Sequence, residues 1–129
     1  MAASPVAAAV RGRFPGGNAV KLPNSENAVV DVAKLRDYCL SSSHLRGRHK
    51  SRVFASALGL TARDAADLRA ALLGAARDGE ATPGEADEYG RRFTVDFEMV
   101  HCGRRASIRS AWIVRTGEEC PRLTSCYVL

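Results

Sequence analysis

Residues 93–115 read FTVDFEMVHCGRRASIRSAWIVR, and the fold turns on this stretch. In its first half Phe93, Val95, Phe97 and Met99 alternate with Thr94, Asp96 and Glu98. Successive side chains of a strand point to opposite faces, so a period of two marks a strand with one buried and one solvated face. His101, Cys102 and Gly103 break the run and supply a hairpin. The strand predicted over residues 106–115 becomes apolar on both faces at Ala111, Trp112, Ile113 and Val114, as a strand with neighbours on either side should. Residues 117–121, from a glycine to a proline, turn the chain into another strand over 122–128. Sequential strands joined by short turns predict an antiparallel meander of three to four strands.

Upstream of residue 78 the period is helical. Asp31 can cap a helix in which Val32, Leu35 and Cys39 recur at i, i+3 and i+7, ended by the serines at 41–43. A second helix is expected over residues 50–58, with Val53, Phe54, Ala57 and Leu58 buried and Gly59 as its stop. Thr61 followed by Asp64 resembles a capping box, and the Ala/Leu-rich run to Arg77 repeats Ala65, Leu68, Leu72 and Ala76 on one face, with Gly79 at its end. The stretch DGEATPGEADEYG, residues 78–90, reads as an exposed acidic loop. Helices first and a meander after predict an α+β fold of two layers, the helices covering one face of the sheet. Residues 1–21, rich in Ala, Gly and Pro without either period, are expected to be a flexible arm, and residues 22–129 a single domain.

The chain has 129 residues, 46% of them apolar and 26% charged, which fits one soluble domain with its own core. No apolar run approaches a membrane span and the N-terminus lacks the pattern of an export signal, so no membrane is expected and a cytoplasmic location is. Cys39, Cys102, Cys120 and Cys126 then read as reduced thiols. Nineteen Lys+Arg face fourteen Asp+Glu, a net charge of +5. Arg11, Arg13 and Lys21 sit in an acid-free arm, so residues 23–129 carry sixteen basic against fourteen acidic side chains, and local clustering decides what the charge can do.

The informative cluster is HLRGRHKSR, residues 44–52, with Arg48, His49, Lys50 and Arg52 around the predicted start of the second helix. A helix N-terminus carries positive charge and prefers anions, so basic residues there cost stability. A bound phosphate reverses that cost: Gly47 lets backbone approach, free N–H groups face the anion, and Arg48 and Lys50 add a fork and a point charge. The alternative is that these side chains fan into water. Arg109, on the strand face shared by Ser107, Ala111 and Ile113, either serves an anionic ligand or pairs with Asp96 or Glu98 on the neighbouring strand. Trp112 and Tyr127 can stack a base, although Trp112 in an apolar strand suits a core. No metal-ligand spacing, Walker loop, nucleophile elbow or dinucleotide fingerprint is present, and neither metal nor cofactor is expected.

Three phrases, HLRGRHK with Phe54 and Leu58–Gly59 after it, GRRASIRSAWIV, and PRLTSCY, together resemble a bacterial and phage family of small domains of unknown function, over residues 22–128. Gly47 and Lys50 match the family's H-P-x-G-x-x-K phrase. Gly103, Arg104, Arg109, Trp112 and Ile113 match the second phrase, and Pro121, Arg122, Leu123 and Thr124 the third. The family is similar in layout to the ribonuclease superfamily of barnase, EndoU, colicin and RelE-type toxins. That resemblance implies a toxin-like, metal-independent endoribonuclease, with RNA as substrate and a cognate antitoxin or immunity protein as partner. It implies His49 as base or acid, Lys50 and Arg109 as charge stabilisers and Thr124 as a positioning group. Arg48, Gly47, Arg104 and Trp112 would hold substrate phosphate and base. A non-catalytic module that binds nucleic acid or an acidic protein, and a structural or immunity protein, are the alternatives.

Overall fold

In a computed structural model, residues 20–40 and 48–129 are described. Four strands form one antiparallel sheet in sequence order: β1 (Ala81–Asp87), β2 (Gly90–His101), β3 (Arg104–Arg115) and β4 (Arg122–Val128). Among the described residues three α-helical pieces precede them, besides 3-10 turns at Ser25–Asn27 and Ala62–Asp64: α1 (Val32–Lys34), continued by a π turn over Leu35–Cys39, then α2 (Arg48–Leu58) and α3 (Ala65–Asp78). The architecture is the α+β arrangement of helices packed on a meander. No helix among the described residues is long and apolar enough to cross a membrane.

β2 and β3 pair without a register break from Gly90↔Arg115 to His101↔Arg104. Cys102 and Gly103 both have positive φ, as a two-residue type I′ hairpin needs. The register sorts the two faces. Phe93, Val95, Phe97 and Met99 of β2 oppose Trp112, Ser110, Ile108 and Ala106 of β3, and this face joins the core with Phe54, Leu58, Leu68 and Leu72 of the helices. Ser110 is the one polar member of that row, and it is satisfied: its Oγ donates to the Val95 carbonyl and accepts from Trp112 Nε1. Arg92, Thr94, Asp96 and Glu98 line the opposite, open face with Ser107, Arg109, Ala111 and Ile113.

α3 follows the expected capping box, in which the Thr61 backbone N–H donates to Asp64 Oδ2 at 2.9 Å. Its buried stripe of Ala65, Leu68, Ala71, Leu72, Ala75 and Ala76 is rich in alanine, which lets the helix lie close on β2. Gly79 ends it in an extended conformation, and a Cβ there would come within 2.7 Å of the Ala75 carbonyl oxygen. Gly59 ends α2 with positive φ.

Three expectations need correction. Residues 81–87 are not a loop but strand β1, an edge strand with one buried residue and six exposed ones. Pro83 is tolerated there because an edge strand has one side free of ladder bonds, and the register slips between Pro83 and Ala86. Val53 is 44% exposed, because the buried stripe of α2 runs through Ser51, Phe54 and Leu58 instead. Val32 is 37% exposed. The π turn, closed by Leu40 N–H donating to the Leu35 carbonyl, shifts the phase and leaves Leu35 and Cys39 buried without it. The serines expected to end this helix, at 41–43, lie outside the described residues.

The chain ahead of α1 touches both sheet edges. Val20 pairs antiparallel with Ala81 of β1, Val29 pairs parallel with Arg122 of β4, and Leu22 between them is in the core.

Gly90 opens β2 with φ 146°, and a Cβ at this position would sit 2.3 Å from the Val114 carbonyl oxygen. Gly90→Ala should therefore destabilise the fold by about 1–3 kcal/mol, the usual scale for a side chain forced into such backbone. Urea unfolding followed by circular dichroism checks this. An unchanged midpoint would mean that the β2–β3 ladder is not packed this closely at its start.

Candidate functional site

α2 begins with Arg48, His49 and Lys50, so its positive end carries basic residues, as the sequence indicated. The backbone of Arg48 and His49 forms the first turn, while Gly47 and the side chains of Arg48 and His49 lie outside the described residues. Lys50 is half-buried and directed to the outer edge of β4, where its Nζ stands 5.5 Å from the centre of the Tyr127 ring. That is the distance of a cation held over an aromatic face.

Arg109 reaches the same tyrosine. It occupies the central strand of a row across the open face, opposite Asp96 on β2 and Tyr127 on β4. Its Nε donates to Asp96 Oδ1 and its Nη2 to Asp96 Oδ2, both at 2.8 Å. The Asp96 side chain is only 10% exposed and that of Arg109 40%. The hydrogen bonds that Arg109 donates to Asp96, supported by the one to the Tyr127 side chain, hold the guanidinium above its ordinary pKa against a partial loss of solvent. The ion pair weighed at the sequence level is therefore present. It uses the Nε–Nη2 edge, while the remaining guanidinium N–H groups face the Tyr127 side of the site.

Lys50 and Arg109 thus converge on one ring, although 59 positions separate them in the chain. Beside that ring is a groove of about 270 Å³ lined by Lys50, Val53, Tyr127 and Val128. The exposure of Val53, unexpected for the helix, belongs to this apolar wall. Chemically the site offers two cations, an aromatic face and a phenol, a set suited to a phosphate with an attached base. Tyr127 is the residue whose importance the sequence understated. Its signal was the strand period, which puts Tyr127 on the Arg109 face once the β3–β4 register is known.

The other expected residues do not gather here. Trp112 is 1% exposed in the core, and its Nε1–H is taken by Ser110, which removes it from any surface a substrate can reach. Thr124 sits at the irregularity between Ala111 and Trp112 in the β3–β4 register and donates its hydroxyl to the Ala111 carbonyl. Arg104 donates from Nη1 to the Ser56 carbonyl in the last turn of α2, the end opposite Lys50, where a cation complements the helix dipole. Arg52 lines a different cleft of about 460 Å³ with Leu40, Thr61 and Arg63, so the basic run divides between two flanks of α2.

Behind Lys50 lie two buried thiols in contact, Cys39 and Cys126. A hydrogen bond from Cys126 pulls the Cys39 thiol down to about 7, with Lys50 and Lys34 adding to the effect. Cys126, hydrogen-bonded to Cys39 and buried, is pushed up.

A family described as "Domain of unknown function (DUF6883)" matches this chain over residues 21–129. Neither a curated protein nor a solved structure matches it.

Proposed function

For a chain that belongs to the DUF6883 family, we propose the activity of a toxin-like, metal-independent endoribonuclease that grips the RNA backbone where the start of α2 meets β4. The observation that carries this reading is the meeting of Lys50 and Arg109 on Tyr127, beside a groove with an apolar wall. In the reaction, the ribose 2′-oxygen attacks the adjacent phosphorus and the bond to the 5′-oxygen breaks. The products are a 2′,3′-cyclic phosphate and a 5′-hydroxyl. One proton leaves the 2′-hydroxyl for a base and one reaches the 5′-oxygen from an acid. His49, next to Lys50 in the first turn, serves as both in succession, accepting the 2′-hydroxyl proton and, as the imidazolium so formed, giving it to the departing 5′-oxygen. Lys50 and the Arg109 N–H groups not given to Asp96 stabilise the charge on the phosphorane, and Tyr127 stacks a base. Arg48 and Gly47 extend the phosphate contact along the approach to α2. RNA is the substrate, the site of action is the cytoplasm, and a cognate antitoxin or immunity protein would cover this same groove.

Asp96 favours a second reading. A guanidinium already neutralised by a carboxylate holds phosphate less strongly, which suits a module that binds RNA or an acidic partner without cutting it. Purified protein incubated with total RNA in the presence of a chelator separates the two. Fragments ending in cyclic phosphate, lost in His49→Ala and Lys50→Ala, establish the nuclease. Intact RNA that nonetheless shifts on a gel leaves the RNA-binding module, and intact unshifted RNA overturns both RNA readings, leaving only the acidic partner.

A further inference from the structure

A second cluster lies at the opposite end of α2, where the β2–β3 hairpin delivers His101 to the start of α3. His101 Nδ1 is 2.7 Å from the Leu58 carbonyl oxygen, which can only accept, so Nδ1 carries a proton. With Cys102 Sγ in a long hydrogen-bonding contact at 3.9 Å, Nε2 then carries the lone pair of the neutral ring. It faces Asp64 Oδ1 at 3.9 Å and Asp67 Oδ2 at 3.7 Å, and all three ligand atoms lie within 4.8 Å of one another. We propose that His101, Asp64 and Asp67 bind a divalent transition-metal ion, zinc foremost, with Cys102 Sγ or a water molecule as fourth ligand.

Four observations carry the assignment. The Nε2 to carboxylate distances are too long for hydrogen bonds, which for these atoms run near 2.7–3.2 Å. They are close to the spacing of ligands around a metal: with Zn–N of about 2.0–2.1 Å and Zn–O of about 2.0–2.2 Å, neighbouring tetrahedral ligands stand about 3.3–3.5 Å apart. Two of the three ligands, Asp64 and His101, are also held from behind. Asp64 Oδ2 is occupied by the Thr61 backbone N–H and hydroxyl, which turns Oδ1 towards the imidazole. The proton of His101 is tied to a backbone carbonyl, the arrangement that orients metal-bound histidines. Finally, Cys102 Sγ is 3.9 Å from Nε2 on an exposed turn. Capping accounts for acidic residues at the start of α3; the imidazole between them pairs with both as an ion when protonated and presents its Nε2 lone pair to a metal when neutral. The side chain of His101 is 14% exposed, so the ion would be partly shielded from water.

The ion would tie the last turn of α2, the first turn of α3 and the β2–β3 hairpin together, and its role is structural rather than catalytic. The sequence concealed it because Asp64, Asp67 and His101 match no ligand spacing and come together only through the hairpin.

The test is calorimetric titration of the metal-free full chain with zinc chloride, alongside thermal unfolding with and without the ion. The expected result is saturable one-to-one binding and a higher melting temperature. His101→Gln, which can still donate to Leu58, and Asp67→Asn at an exposed position should each weaken binding by more than about tenfold, the scale on which residues supporting metal sites act. Absence of saturable zinc binding by the wild type overturns the proposal. So does undiminished binding by both variants, since it would place the ion on other thiols or imidazoles.

Discussion

Trp112→Ala is expected to lower the free energy of unfolding by about 3–5 kcal/mol, the range for deleting a large aromatic side chain from a packed core. Domains of this size have roughly 5–15 kcal/mol in total, so the variant should stand near the limit of folding at 37 °C. Trp112 is the largest fully buried side chain and faces Phe93 across the β2–β3 ladder and Leu123 across β3–β4. Its removal opens a cavity in the middle of the sheet that the flanking strands cannot close without breaking register. Ser110→Ala isolates the polar part of the effect. It leaves Trp112 Nε1–H buried without an acceptor and should cost about 1–3 kcal/mol. Because the chain has a single tryptophan, unfolding is best followed by circular dichroism. A loss below about 1 kcal/mol for Trp112→Ala would mean that this side chain is not a core residue.

Arg109→Ala should lower the proposed RNA cleavage by about 10²–10³-fold, the usual effect of removing one donor to a developing anion. The alanine variant also strands Asp96, which is nearly buried, so lost activity by itself would be ambiguous. Asp96→Asn resolves this. It keeps the shape of the pair but removes the competing carboxylate, and it should tighten single-stranded RNA binding. The salt dependence should steepen by about 0.7 log unit per decade for the added phosphate contact. Anisotropy of labelled RNA over a salt series reads both quantities. Weaker binding in Asp96→Asn would show that Arg109 serves the sheet and not a ligand.

How far the sequence revealed this molecule depended on whether a segment meets the core on one face. Phe93 to Met99 alternate because one side of β2 packs on helices and the other is open, so the strand declared itself. β1 has almost nothing buried and carries Pro83, Gly84 and two acids, Glu85 and Asp87, so its ladder bonds left no imprint in side-chain pattern. Phe54 and Leu58 were legible on α2, whereas Val53 fitted the helical stripe but lies beside Tyr127, a neighbour supplied only by tertiary structure. The candidate site shows the same division. Lys50 and Arg109 stood out as charges in costly places. Their shared partner Tyr127 did not, since recognising it requires the β3–β4 register and the position of α2 on the edge of β4.

The two lone bridges made by Val20 and Val29 acquire meaning when taken as one strap. Ten residues of chain are fastened to the first strand at one end and to the last strand at the other, with Leu22 plugged into the core on the way. A four-stranded meander has two unsatisfied borders, each able to recruit a strand from another molecule. Here a single short segment occupies part of both. A nick anywhere between Val20 and Val29 would release the two borders together, so protease resistance at this leading segment and resistance to self-association should be lost in the same event.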